Sequence, residues 1–261
     1  MTFRSQRFLS VFIALLLSMN IQQALAITDA EAVNISGSQR MLTQRMMKDY
    51  LMLGAGVKAD KAQTELSASV ERFESNLDVL TSYSDLPIIN SQLEKVKAMW
   101  AEHKTGLLSL PDKEAAVALM KENLELLGAC HQLVLNIEGQ SAQRNADIVN
   151  ISGRQRMLSQ RIAKAYMALY WGVPSTELES EFKNAQNQFA DALAKLKAFD
   201  GNSTDIGIEL DRVSVHWKFA QPGFELGEGK HPVPGNIFTT MNSIMDKMND
   251  ITKQYELLLN K

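Results

Sequence analysis

The twelve residues NISGSQRMLTQR at 34–45 return 116 positions later as NISGRQRMLSQR at 150–161, identical at ten of the twelve places. Such a repeat means one structural unit built twice, which restricts the chain to folds with two equivalent halves. The match extends past the phrase. MLTQRMMKDYLMLGAGV answers MLSQRIAKAYMALYWGV, LEKVKAMW at 93–100 answers LDRVSVHW at 210–217, and each half closes on a Leu-rich amphipathic segment. The main departure is QPGFELGEGKHPVPG at 221–235, about ten residues longer than its counterpart and carrying three prolines.

Each repeat is written in helix formers. Ala, Leu, Met, Lys, Glu and Gln dominate, and no alternating Val/Ile/Thr run of strand length competes with them. Punctuation comes at 53–60, 82–90 and 108–114 in the first half, and at 171–177, 199–205 and 221–235 in the second. An all-α protein follows, with four helices per half and therefore two tandem four-helix bundles, residues 27–139 and 140–261.

How the bundles join is open at this level. No proline interrupts residues 112–172, and a continuous helix there would run about 90 Å at 1.5 Å per residue. The alternative is a reversal within NIEGQSAQ at 136–143, where Gly139 can take a positive φ. The reversal is favoured, because short connections make antiparallel neighbours. It lays the two halves side by side as an intrachain pseudo-dimer, with their first helices parallel and the repeated phrases facing each other.

Residues 1–26 read as a cleaved secretory signal peptide, with an uncleaved anchor as the competing reading: Arg4 and Arg7, an apolar run too short to span a bilayer comfortably, then Ala-Leu-Ala at 24–26. A periplasmic location is expected. Removing this leader takes the formal charge from −3 to −5, which gives no support for a nucleic-acid partner. No later stretch approaches 18 apolar residues, so no membrane span is expected after cleavage. The single cysteine, Cys130, excludes an intramolecular disulfide and reads as a buried helix residue.

On a helix, Ser36, Gly37, Arg40, Thr43 and Gln44 share one face. Gly37 costs about 1 kcal/mol relative to alanine in a helix interior, and its use would be close approach of a second helix or a ligand. Arg40, one turn on, offers a rigid two-pronged donor suited to a small planar oxyanion, whose charge would offset that of a buried guanidinium. Gly153 and Arg156 repeat the geometry, and Arg45 and Arg161 sit five residues further on. The competing reading is a pair of solvated or intrahelically paired arginines, preserved only because the unit was duplicated.

The phrases resemble the P-box of the periplasmic sensor domain in nitrate/nitrite-responsive histidine kinases, and most of all the related PilJ-type domain of type IV pilus chemotaxis transducers. The match lies in Gly37, Arg40, Met41 and Arg45, and in Gly153, Arg156, Met157 and Arg161. The resemblance implies a four-helix bundle, and nitrate or nitrite gripped between two P-box helices by Arg40 and Arg156, with Gly37 and Gly153 giving close approach. One chain would then supply both half-sites. It also implies a membrane-bound receptor, kinase or transporter ectodomain as partner. The alternative is an adaptor that docks a chemoreceptor or sensor-kinase ectodomain without a ligand.

Elsewhere the sequence points to packing. Met41, Met46, Met47 and Met52 have core-like spacing rather than that of a thioether metal site. His103, His131, His216 and His231 lack ligand spacing, so no metal and no cofactor are expected. No nucleophile–base set, phosphate loop or carboxylate cluster suggests an enzyme. Trp100 and Trp217 match between the repeats and read as core anchors, whereas Trp171 is a candidate for a partner-facing surface.

Overall fold

A computed structural model describes residues 27–140, 146–227 and 229–259; the leader expected at 1–26 lies outside them. The described residues form α1 (Asp29–Gly54), α2 (Ala59–Thr81), α3 (Pro87–Leu107), α4 (Lys113–Gln140), α5 (Ala146–Trp171), α6 (Leu178–Lys197), α7 (Thr204–Ala220), a 3-10 turn (Gln221–Phe224) and α8 (Pro234–Leu259). There is no strand among them, and none of these helices is long and apolar enough to cross a membrane.

Local chemistry sets the helix ends. Thr28 and Glu31 form a reciprocal capping box, Thr28 Oγ1 accepting from the Glu31 amide at 3.2 Å and Glu31 Oε2 from the Thr28 amide at 2.7 Å. Asp112 and Ser203 accept from the backbone three residues on and so start α4 and α7. Pro87 opens α3, where its missing N–H costs nothing. After α1 the chain turns through Gly56 at φ +65°.

Buried residues in the outer helices recur at helical spacing: Leu66, Val70, Phe73, Leu77 and Leu80 on α2, and Ile89, Leu93, Val96, Trp100 and Leu107 on α3. Each such side chain contributes about 1.5–3 kcal/mol through removal from water. α1 and α5 differ, being buried on nearly every side even at polar positions such as Gln39, Gln44, Gln155 and Gln160. They are the central helices. α1 packs along α2, α4 and α5, and α5 along α1, α6 and α8, while α3 lies on α4 and α7 on α8.

α1 and α5 run parallel: Arg156 of α5 reaches Asn34 near the start of α1, and Trp171 at the end of α5 covers Gly54 at the end of α1. This is the side-by-side arrangement, and a single helix through 112–172 is excluded because Asn150 of α5 donates to Glu138 of α4 at 2.7 Å, whereas residues twelve apart in one helix stand about 18 Å apart. The expected turn at Gly139 is corrected. Gly139 is helical inside α4 without a positive φ, since the hydrogen bonds of the last turn hold it there and α4 continues to Gln140. Residues 141–145 lie outside the described residues.

Candidate functional site

The parallel seam brings the two phrases together. Arg40 and Arg156 are each 1% exposed. Long helical side chains lean toward the helix N-terminus, so each arginine reaches back across the seam to the asparagine that opens the other phrase. Arg40 Nη2 donates to Asn150 Oδ1 at 2.7 Å, and Arg156 Nη2 donates to the Asn34 carbonyl at 3.2 Å. Both asparagine amides are held from behind: Asn150 Nδ2 donates to Glu138 on α4 at 2.7 Å, and Asn34 Nδ2 to Glu256 on α8 at 2.5 Å. The outer prongs find Nδ1 of His131 at 3.2 Å from Arg40 Nη1, and Oδ1 of Asn249 at 2.9 Å from Arg156 Nη1.

Among the described residues neither arginine forms an ion pair with a carboxylate, although Glu138 and Glu256 stand one asparagine away. Both Nε–H groups are buried without a partner. Burial, then the positive charge of Arg154, pushes Arg40 down to about 10; burial, then Arg40 itself, pushes Arg156 down to about 9. Two buried cations that oppose each other are a charge excess that a bound anion would relieve.

The glycines act on the guanidinium groups. A Cβ on Gly37 would stand 3.3 Å from Arg40 Nη2 and 3.5 Å from Arg156 Nη2, and one on Gly153 would stand 3.0 Å from Arg156 Nη2. Both Nη2 atoms thus converge beside Gly37, in space that the missing side chain leaves. The neighbouring hydroxyls play no part in this arrangement. Thr43 and Ser159 donate to the carbonyls of Arg40 and Arg156 at 2.9 and 2.8 Å, and Gln44 donates to Asn123 at 2.8 Å.

Arg45 and Arg161 stand apart from the central pair. Arg45 meets Glu65 at 3.4 Å and Arg161 meets Glu181 at 3.1 Å. Each instead lines a cleft flanking the seam. A cleft of about 330 Å³ lies among α1, α2 and α8, lined by Arg45, Arg72, Arg156, Asp246, Asn249 and Lys253 together with Ile35 and Met245. Its counterpart of about 170 Å³ lies between α4 and α5, lined by Arg40, His131, Arg154 and Arg161 together with Leu124, Leu127 and Met157.

Sequence reasoning missed His131, Asn249 and the two asparagines. Asn34 and Asn150 carried a usable signal as the repeated first letter of the phrase, but His131 carried none. Trp171 is partly buried: its ring packs over Gly54, with Lys113 Nζ 5.9 Å from the ring centre. Cys130 is buried and its thiol is pushed up to about 12 by burial. Met41, Met46, Met47 and Met52 are core residues.

The comparisons with known proteins agree with the twofold construction. The family model described as PilJ, type IV pili methyl-accepting chemotaxis transducer N-term, matches twice, at residues 24–124 and 140–226. The methyl-accepting chemotaxis protein McpN of Pseudomonas aeruginosa is 31% identical over 130 residues, which are 47% of this chain and 23% of that protein. This chain thus matches under a quarter of that relative's length. No solved structure matches.

Proposed function

Because this chain belongs to the PilJ family of chemotaxis transducer N-terminal domains, carrying the domain twice, we propose that it is a periplasmic sensory module for a small oxyanion, nitrate or nitrite. The anion is taken between the two phrases, by Arg40 and Arg156, in place of Asn150 Oδ1 and the Asn34 carbonyl. The family is one of sensory domains, non-enzymatic in kind, so the bound state is the output, presented to a membrane-bound receptor, kinase or transporter ectodomain.

The observation that carries this reading is the convergence of two buried guanidinium groups beside Gly37 with no carboxylate between them. Charge-assisted bonds to a planar oxyanion match the forked donors, and placing the anion there removes the repulsion between the arginines. The test is thermal unfolding with nitrate, nitrite, sulfate and chloride at constant ionic strength. Nitrate or nitrite at a hundredfold excess over Kd should stabilise by about 2.7 kcal/mol, and Arg40→Ala and Arg156→Ala should each abolish the shift. Equal shifts with all four anions, or a shift that survives both substitutions, would reject the site.

One observation favours the docking alternative. Ile208, Val215 and Phe219 of α7 are 47%, 67% and 70% exposed and form one helical stripe. With Trp100 aligned to Trp217, the matching α3 residues are Ser91, Ala98 and Glu102. Only the second half carries this apolar face. On the docking reading, Phe219→Glu weakens association with a co-expressed transducer ectodomain and leaves any response to anions unchanged.

A further inference from the structure

We infer that the oxyanion held by Arg40 reaches into the cleft between α4 and α5, where Arg154 and His131 also contact it, and that it draws one proton from solvent as it binds. The ligand class rests on the reading above; the added residues and the proton do not follow from the repeated phrase.

The lining supports an anion. Three arginines and a histidine face this cleft of about 170 Å³, and no carboxylate lines it. Only Arg161 is committed to an acid, Glu181 at 3.1 Å. Arg154 is exposed and makes one neutral contact, to Gln188 at 2.9 Å. At about 30 Å³ per water, the space suits a small oxyanion with a few waters. The opposite cleft is unlike it: Ser38 stands where Arg154 stands, and Asp246 adds a negative charge. Arg45, Arg72, Arg156 and Lys253 also line that cleft, so the two half-sites of the duplicated unit differ in whether a carboxylate is present rather than in net charge.

His131 supplies the proton linkage. Guanidinium N–H groups only donate, so Nδ1 of His131, 3.2 Å from Arg40 Nη1, is an unprotonated acceptor and the ring is neutral with its proton on Nε2. The charged groups facing it are Arg40 from α1 and Arg154 and Arg161 from α5; no α3 residue lines the cleft, and on α4 itself Glu138 is engaged by Asn150. Partial burial of the ring, then Arg40 and Arg154, holds the imidazole below its usual range. An oxyanion that accepts from Arg40 takes over the role of Nδ1 and offsets those positive charges. The freed nitrogen then binds a proton, and the imidazolium donates to the anion.

The experiment is isothermal titration of the chain with nitrate and with nitrite between pH 5.5 and 8, in buffers of different ionisation enthalpy. Proton uptake approaching one per anion is expected, with affinity rising by up to about tenfold per pH unit as pH falls through the histidine range. Arg154→Ser, which installs the residue of the other half, should weaken binding by about tenfold or more. His131→Gln should retain binding at pH 8 and lose the pH dependence. Both positions are exposed, and unchanged melting temperatures without anion would show that the fold is intact. If Arg156→Ala abolishes binding while Arg154→Ser and His131→Gln leave affinity and pH profile untouched, the seam site stands and this inference is overturned. If neither anion binds the unsubstituted chain, both readings fall.

Discussion

In the first half the rings of Phe73 and Trp100 stand 4.5 Å apart and inclined at 37°; in the second, Phe189 and Trp217 stand 4.5 Å apart and inclined at 37°. Gln39 donates to the Phe73 carbonyl at 2.9 Å, and Gln155 to the Phe189 carbonyl at 2.9 Å. Tyr50 accepts from the Asp112 amide at 3.1 Å, and Tyr166 from the Val233 amide at 3.0 Å. The charged layer one step away has not kept this correspondence. Lys48 contacts Glu65 and Asp49 at 3.2 Å, and reaches across the seam to Gln160 and Asn242 at 3.0 Å; Lys164 meets Glu181 at 2.8 Å. Where the first half has Asp49, the second has Ala165. Contacts within a half are fixed by close packing, which tolerates little change. Contacts across the seam join unlike surroundings, and a pair of copies in one chain is free to diverge there.

The two lysines should separate most sharply. Lys48→Met leaves Asp49, whose side chain is fully buried, without its counter-charge, and stranding a buried charge costs about 3–5 kcal/mol. Lys164→Met leaves Glu181 with Arg161 and an 18% exposed side chain, for a loss of about 1 kcal/mol or less. Urea denaturation at pH 8 measures both. Equal losses would break the comparison, because they would mean that the seam treats the two halves alike.

Asp49 gives a second difference, with a definite sign. Its oxygens make no hydrogen bond although Lys48 lies 3.2 Å away. Burial pushes the carboxyl up to about 7, Lys48 opposing and Glu65 adding to the rise. An unfolded aspartate titrates near about 3.9. Between those values the folded chain keeps a proton that the unfolded chain has released, so stability falls as pH rises through the window, by at most about 1.4 kcal/mol per pH unit. Asp49→Ala installs the residue of the second half and should make that slope shallower. Denaturation midpoints at pH 5, 6, 7 and 8 that fall as steeply in the variant as in the parent would remove Asp49 from the explanation.

How far the sequence shows these features depends on the range of the interactions. The helix breaks are legible because glycine and proline clusters act locally, and the loops described from α1 to α4 and from α5 to α8 lie inside them to within one residue. That Arg40 and Arg156 share one seam is legible from the repeat, since matched surfaces of duplicated units tend to meet. Their partners are not legible, because the stagger of α1 on α5 decides whether Arg40 meets Asn150 or the other arginine. Thr43 and Gln44 occupy the expected face yet spend their hydrogen bonds on Arg40's own carbonyl and on Asn123. Gly139 stays helical for a reason of the same kind, since turn propensity is outweighed by the hydrogen bonds of a helix packed on both neighbours. His131 stands beside Arg40 by tertiary placement alone.

The last contrast lies at the C-terminal end of the seam, where the first helix of one half ends in Gly54 and that of the other in Trp171. A Cβ on Gly54 would stand 2.3 Å from the Cη2 and Cζ2 atoms of Trp171, well inside contact distance, so the ring must move if the glycine is replaced. Trp171 is only partly buried and terminates its helix, and can therefore swing outward more cheaply than a core residue could. Gly54→Ala should thus cost about 1 kcal/mol, the low end of overpacking, even though alanine is the better helix former. In Trp171→Ala the obstruction is gone, and Gly54→Ala added to it should be neutral or stabilising. A double-mutant cycle on the denaturation midpoint reads the coupling directly. If Gly54→Ala stabilises the parent as much as it stabilises Trp171→Ala, the two ends are packed independently and the seam does not close there.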